Sequence, residues 1–452
     1  LGDGPGKAGQ EGGSDPQRSS LTEEELVKDV RESITVFSGR PLFMYGSRSH
    51  RNRKLMEAKV LSSEAMVMLA HQIRLEPNRR EEEYFRKACG VARFSWNWGL
   101  SEWKKRYESR ERVDGLKLKK DFNAIKALEF PWTYEVTKYA SQQPFLHLQA
   151  AFRRFFEKKG RYPRFKRKGV HDSFYIGGDH LEVNGKKIRI PRLGWVRMRE
   201  AVRFQGKVVS ATVRRIADKW FVSVQVELEE APTPCESQAR VGVDLGVNRL
   251  ATLSNGETFE GPKPLRKELS KLRRLSRALS RKQKGSQNRL KARVRLQRLH
   301  YRIRSIRQDS LHKLTTYLTR NFGVIAIEDL NVRGMLKNRH LSRAISDMGF
   351  HEFRRQAEYK AKLRQNHLEV VSRWFGSSKT CSECGTIQQR LELSERTFRC
   401  EECGYEADRD FNAAVNLFRT VSSTGSQACG EEGSGFSERW SETVLREAGT
   451  WA

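Results

Sequence analysis

Apolar and polar positions begin to alternate at Met68, and Ala70-His-Gln-Ile-Arg-Leu75 reads as a strand. From residue 79 to residue 129 the apolar positions recur at helical spacing, with Trp96, Trp98 and Trp103 clustered. A second helical stretch runs from Glu135 to Phe156. Core packing is the expectation for the three tryptophans, ahead of stacking on bases. Between residues 173 and 229 the period drops to two, in Ser173–Ile176, Lys186–Ile190, Val196–Arg199 and Trp220–Leu228. Short strands at this spacing predict a small antiparallel barrel. Pro232 and Pro234 mark a linker beyond it.

Two short apolar runs then end in an acid. Val241-Gly-Val leads to Asp244, with Ala251-Thr-Leu-Ser254 returning as a second strand, and Val324–Ile327 leads to Glu328. Between them Leu269, Leu272 and Leu279, then Leu296, Leu299, Ile303 and Ile306, keep helical spacing on either side of Lys284-Gly-Ser-Gln287. That pattern predicts a helical hairpin with one apolar seam. Phe411, Ala414, Val415 and Phe418 form the i, i+3, i+4, i+7 set of a last helix, opened by Asp410.

Charge changes the picture next. The 452 residues hold 86 Lys and Arg against 55 Asp and Glu, a net charge of +31, which favours a polyanionic partner such as nucleic acid. The surplus is concentrated. Nine of the sixteen residues from Arg153 to Lys168 are basic, interleaved with Phe155, Phe156, Tyr162 and Phe165. A solvated charge run normally lacks aromatics, so a phosphate-contacting loop is expected. The hairpin from Arg266 to Arg307 has seventeen basic residues and one acid, Glu268. A coiled-coil face would mix signs; one sign suits a nucleic-acid backbone. The expected contacts are Lys158, Lys159, Arg161, Arg164 and Lys166 in the loop, with Arg273, Arg274, Arg277, Arg281 and Lys282 in the hairpin. No apolar run is long enough to span a bilayer, which argues against a membrane role.

Cys381-Ser-Glu-Cys384 and Cys400-Glu-Glu-Cys403 have the spacing of two thiolate knuckles on a tetrahedral zinc, each followed by a glycine, Gly385 or Gly404. Cys89, Cys235 and Cys429 are scattered, so cysteine serves metal binding here and not a disulfide framework. Asp410 follows the second knuckle closely. Asp244, Glu328 and Asp410 converging would repel one another unless cations share the site, and oxygen ligands suit magnesium or manganese. Two such ions can hydrolyse a phosphodiester, so the expectation is a metal-dependent nuclease. Taken singly the acids read as a turn residue, a strand-end surface acid and a helix cap. Asp329 should point away from Glu328 on an extended strand. Asp408 is the harder neighbour to separate from Asp410.

Gly242-Val-Asp-Leu-Gly-Val247, Ile327-Glu-Asp-Leu-Asn-Val332, Ser377-Ser-Lys-Thr-Cys-Ser-Glu-Cys-Gly385, the Cys400 knuckle and Asp408-Arg-Asp-Phe-Asn-Ala-Ala-Val-Asn-Leu417 together resemble TnpB, the insertion-sequence OrfB family related to miniature type V CRISPR nucleases. The similarity extends back to Gly90-Val-Ala-Arg-Phe-Ser-Trp-Asn-Trp-Gly-Leu100 and covers roughly residues 68–420. The resemblance implies an α+β multidomain protein. A RuvC-like nuclease core of RNase H fold carries an inserted four-Cys zinc ribbon, and a wedge-type antiparallel β-barrel interrupted by a helical recognition domain precedes it. Its implied segments are 67–78 for the first barrel strand, 79–160 for the helical domain, 161–236 for the barrel and 237–379 for the core with its hairpin at 264–320. The ribbon is 380–406, the final helix 407–420 and a flexible tail 421–452, which resembles tails whose gene overlaps the guide RNA. By the same resemblance Asp244, Glu328 and Asp410 match the catalytic, magnesium-binding acids, and the four cysteines match the zinc ligands. A transposon-derived guide RNA and a double-stranded DNA target are the implied partners of a monomeric, cytoplasmic, nucleoid-associated bacterial or archaeal enzyme.

Residues 1–66 have no counterpart in that resemblance. The Gly-rich opening reads as disordered, with one helix at 22–36 capped by Thr22, and the chain does not begin with Met. Gly376 replaces a proline common before Ser377-Ser-Lys-Thr-Cys381. The competing function is a guided or unguided nucleic-acid-binding regulator that keeps the acids without cutting. A strand-joining transposase would need a tyrosine near paired histidines, and no His-x-His pair occurs.

Overall fold

The computed structural model describes residues 67–228, 232–389 and 395–422. The expected 1–66 extension with its 22–36 helix, Cys429 and the tail beyond Ser422 lie outside these residues. Strand β1 (Met68–Leu75) is followed by helices α1 (Arg79–Glu108), α2 (Gly115–Glu129) and α3 (Lys138–Phe156). Asn78 starts α1 through a capping box: its side chain accepts from the Glu81 amide, and the Glu81 carboxylate accepts from the Asn78 amide. Asp114 caps α2. The helices close over Trp96, Leu100, Trp103, Phe122, Phe145 and Phe152, and Trp103 stacks on Phe152 with ring centres 4.2 Å apart. Trp96 and Trp103 are core residues, and the partly buried Trp98 packs against the same cluster.

The chain then returns to β1. Strands β2 (Ser173–Gly177), β6 (Gly206–Ile216) and β7 (Lys219–Leu228) join it in an antiparallel sheet of order β1-β7-β6-β2. Strands β3 (Glu182–Asn184), β4 (Lys187–Ile190) and β5 (Gly194–Arg197) form a second sheet. Both face one core that includes Ile73, Phe85, Phe174, Ile188, Val196 and Trp220. At the end of β1 a bridge between Leu75 and Met198 links the two sheets, with the Glu76 and Arg199 amides donating to the Arg197 and Arg74 carbonyls. Strand β6 is absent from the alternation noted in the sequence. Its register shifts between Val208 and Ser210, which interrupts the period-two pattern at the strand's start.

A five-stranded sheet of order β10-β9-β8-β11-β12 follows, from β8 (Arg240–Asp244), β9 (Ala251–Leu253), β10 (Thr258–Phe259), β11 (Val324–Glu328) and β12 (His367–Val371). Strands β8, β11 and β12 are parallel. A single turn (Pro264–Lys267), α4 (Leu269–Ser280) and α5 (Gln287–Asn321) form the basic hairpin before β11, and α6 (Phe350–Leu363) leads into β12. The hairpin turn follows its sequence: Gly285 has φ +88°, Ser286 caps α5, and Arg289 donates to the Leu279 and Lys282 carbonyls.

The two faces of this sheet divide by parity. Val241, Val243, Ile325 and Ile327 pack with Leu311, Leu318 and Phe353 of α5 and α6. Ala326 packs on the other face against Leu417 and Val421 of the last helix, α7 (Arg409–Ser422). Gly242 shares that face. A Cβ there would stand 2.1 Å from the Ala414 carbonyl oxygen, so the helix rests directly on the β8 backbone.

Candidate active site and metal centre

Alternation along a strand decides where each acid points. Asp244 has the parity of Gly242, and Glu328 that of Ala326, so both carboxylates face the side where α7 lies. Val243 pairs with Ile327 across the parallel ladder, which places the two acids on one edge of the sheet. Asp410 comes to the same edge from the first turn of α7. A Cβ on Gly246, in the loop after β8, would lie 3.6 Å from an Asp410 carboxylate oxygen.

The three acids influence one another. Burial, then the charges of Asp410 and Glu328, push the Asp244 carboxyl up to about 7, with Arg409 acting against them. Burial and the neighbouring Asp329 raise Glu328 as well. Arg409 also lies 3.8 Å from Asp410. Among the described residues, only the four cysteines form a set of three or more His, Cys, Asp or Glu whose ligand atoms all lie within 4.8 Å. The carboxylates are set wider than that. A carboxyl raised by burial and by two acidic neighbours marks a site short of positive charge, and the all-oxygen donor set fits a hard divalent cation.

Both acidic neighbours have other work. Asp408 accepts from the backbone amides of Asp410 and Phe411, at 2.9 and 3.2 Å, and so caps α7. Its second oxygen accepts from Arg249 at 3.0 Å. The helix-cap reading therefore belongs to Asp408, and the Asp410 carboxylate takes no part in the cap. Asp329 pairs with Arg373 and with Arg354 of α6, on the face away from α7.

The cysteine cluster lies one strand before α7. Cys381 and Cys403 are 3.7 Å apart and Cys384 and Cys400 3.6 Å apart, all as free thiols. Each knuckle closes on a glycine with positive φ, Gly385 (+78°) and Gly404 (+70°), whose amides donate to the Cys381 and Cys400 carbonyls. Among the described residues, the other core members of this module are Phe398 and the partly buried Tyr405. Such a set could hold a metal ion. Strands β13 (Thr397–Arg399) and β14 (Glu406–Asp408) pair, and β14 runs straight into the Asp408 cap.

Two residues that the motif reading passed over dock this module. Asn412, fully buried, donates to the Thr380 carbonyl and accepts from the Ser382 amide, each at 2.8 Å. Asn416, one turn on, donates to the carbonyls of Ser377 and Thr380. Their i, i+4 spacing was visible in the sequence; their partners were not. Asp347, also buried, holds the base of the hairpin by accepting from the Leu265 and Arg266 amides beside Arg307.

The basic positions divide. Arg273, Arg274, Arg277, Arg281 and Lys282 are exposed, and none forms an ion pair among the described residues. Lys158, Arg161 and Arg164 are equally free, while Lys159 pairs with Glu157 at 2.8 Å. Lys166 differs. Its ammonium lies 4.0 Å from the Trp96 ring centre, where desolvation lowers its pKa to about 8, and its backbone is bonded to Asn97. Tyr162 packs against Phe152 and Phe155, whereas Phe165 is half exposed. A further cationic run leaves the sheet just after Glu328, with Arg333, Lys337, Arg339 and Arg343 exposed and no acid between them.

Replacing Lys158, Lys159, Arg161 and Arg164 with Ala is expected to weaken RNA binding and flatten its salt dependence by about one unit per lost contact. Each phosphate contact contributes a slope of about −0.9 on duplex DNA and about −0.7 on single strands. Titrations at several salt concentrations measure it. An unchanged slope would make the loop a solvated charge run.

Comparison with known proteins follows the same segments. The OrfB_IS605 family model, described as "Probable transposase", matches residues 223–339. "Cas12f1-like, TNB domain" matches 350–417, and a "Helix-turn-helix domain" of the OrfB family matches 66–112, a segment that is here one strand and one long helix. The chain is 35% identical over 380 residues to "Putative RNA-guided DNA endonuclease InsQ" of Escherichia coli (strain K12), covering 80% of this chain and 94% of that protein. It is 36% identical over 376 residues to "Putative RNA-guided DNA endonuclease" of Streptomyces pristinaespiralis, covering 81% and 92%. It is 26% identical over 216 residues to "CRISPR-associated endodeoxyribonuclease Cas12f1" of Sulfoacidibacillus thermotolerans, covering 44% and 50%.

Proposed function

The chain belongs to the TnpB family of insertion-sequence OrfB proteins, and from that premise we propose that it is a transposon-associated, RNA-guided DNA endonuclease. The observation that carries the cutting activity is the meeting of Asp244, Glu328 and Asp410 at one sheet edge, with the Asp244 carboxyl raised to about 7. In this reading the five-stranded sheet and its helices are the RuvC-like core of RNase H fold. The two sheets around β1 are the wedge-type barrel, and α1 to α3 are the helical recognition domain.

The residues then take distinct parts. Asp244, Glu328 and Asp410 hold magnesium or manganese, and Asp408 fixes the helix that delivers Asp410. The bound ions supply the Lewis acidity that phosphodiester hydrolysis needs, in a two-metal arrangement. Cys381, Cys384, Cys400 and Cys403 hold zinc, which stiffens the segment leading into α7. The loop at 158–168 and the hairpin carry the guide RNA and the RNA–DNA hybrid through backbone contacts, with sequence read by base pairing. No described helix is long and apolar enough to cross a membrane, and a monomer working on DNA in the bacterial or archaeal cytoplasm, associated with the nucleoid, completes the reading.

The direct test is to purify the chain from its source, sequence the co-purifying RNA, and offer a duplex matching that RNA with and without magnesium. Magnesium-dependent cleavage of the matched duplex is the expected result. RNA-directed binding with no cleavage would establish the regulator instead, and absence of any bound RNA would overturn the guided reading.

A further inference from the structure

We propose that Trp374 is a base-stacking platform that positions a single DNA strand at the three-carboxylate edge. The inference rests on the reading of that edge as a DNA-cutting site and adds a substrate contact to it. Trp374 is 88% exposed, against 8% and 6% for the core residues Trp96 and Trp103. No ring or cation contact occupies its indole among the described residues. An indole so fully exposed forgoes the burial that normally stabilises a tryptophan.

Its neighbours are anchored, so the exposure is not that of a loose tip. Arg373 is held by Asp329, which Arg354 also grips. Phe375 packs against the cluster of Ala326, Val371 and Leu417. Ser377 is buried, and its carbonyl accepts from Asn416 at 2.8 Å. The chain is therefore fastened on both sides of the one residue whose ring projects into solvent.

The location supplies the occupant. Val371 is the ladder partner of Glu328, so the chain leaves β12 at the acids' own edge, and Trp374 is three residues further on. From the same edge, after Glu328, leaves the acid-free run with Arg333, Lys337, Arg339 and Arg343 exposed. An aromatic face and unpaired cations leaving one sheet edge are the combination that holds single-stranded nucleic acid: the cations take phosphates, and the ring takes a base. A duplex keeps its bases stacked on each other and offers the indole no free face, so the strand at this edge is single.

The test uses the full chain carrying Asp244→Ala, so that DNA binds uncut, and a single-stranded oligonucleotide containing 2-aminopurine, whose emission falls on stacking. Trp374→Ala is expected to weaken binding by about 5- to 150-fold and restore the emission, while Trp374→Phe keeps most of both. Guide-RNA affinity and the melting temperature should not move. With the carboxylates intact, Trp374→Ala should raise KM for single-stranded substrate more than it lowers kcat. Equal affinity and equal quenching in Trp374→Ala would overturn the proposal, as would a lowered melting temperature accounting for the loss. The two readings fail separately. A wild-type chain that cuts nothing, yet loses oligonucleotide on Trp374→Ala, ends the nuclease reading alone; normal cutting and binding by Trp374→Ala end only the stacking.

Discussion

Asp244→Ala, Glu328→Ala and Asp410→Ala should each abolish magnesium-dependent DNA cleavage while guide-RNA binding stays close to wild type. Each change removes a carboxylate of the proposed metal site and little packing, because the apolar contacts of these strands and of α7 come from their neighbours. Asp408→Ala is the control that gives the experiment its edge. Loss of a helix cap costs about 0.5–2 kcal/mol, and the Arg249 pair goes with it, so that variant should melt earlier and still cut. If Asp410→Ala cuts normally and Asp408→Ala does not, the third ligand has been misassigned.

The same site has a pH signature without metal. The Asp244 carboxyl stands at about 7 when folded, against an ordinary 3.8. Its contribution to stability is therefore fully present below about 4 and is lost as pH rises through 7. Magnesium, by compensating the clustered charge, should restore the melting temperature most at pH 7–8 and least near pH 5. Asp244→Asn should flatten that dependence. A metal-induced shift equal at both pH values would contradict the charge-deficient site.

What could be read from the sequence was chemistry written in short local patterns. An apolar run ending in an acid fixes the strand, its last residue and, by parity, the face on which the carboxylate emerges, and β8 and β11 obey this. The cysteine spacing likewise carries its own geometry. Features set by distant partners were not legible. Nothing near Asp408 and Asp410 says which one caps the helix, because the answer depends on where the preceding strand β14 points the backbone. Lys166 belongs to a basic run, yet its ammonium lies over Trp96, seventy positions earlier in the chain. The bulge in β6 breaks the alternation at the start of that central strand, where the period-two signal is read. The exposure of Trp374 was equally illegible, because it depends on distant partners that hold Arg373 and Phe375 on either side of it.

Cys381→Ser should release the metal and unfold residues 380–406 locally, with cleavage falling by at least ~10–100-fold, the range seen when even the partners of metal ligands are lost. Among its described residues the module has Phe398 and Tyr405 beside its cysteines for a core, and structural zinc supplies about 10–16 kcal/mol to such small sites. The damage should travel along named bonds. Ser382, whose amide Asn412 receives, adjoins Cys381; the Thr380 carbonyl takes both Asn412 and Asn416. On the other side β14 delivers Asp408, so its loss uncaps α7 and releases Asp410 from the sheet edge. Hydrogen exchange should therefore accelerate in the ribbon and the first turn of α7, and stay slow in β8, β11 and the hairpin seam. Guide-RNA binding should survive, because its basic surfaces rest on other cores. Elemental analysis decides the premise: about one zinc per chain is expected in the wild type, and a purified, active protein with none would show that the four thiols hold the ribbon without metal.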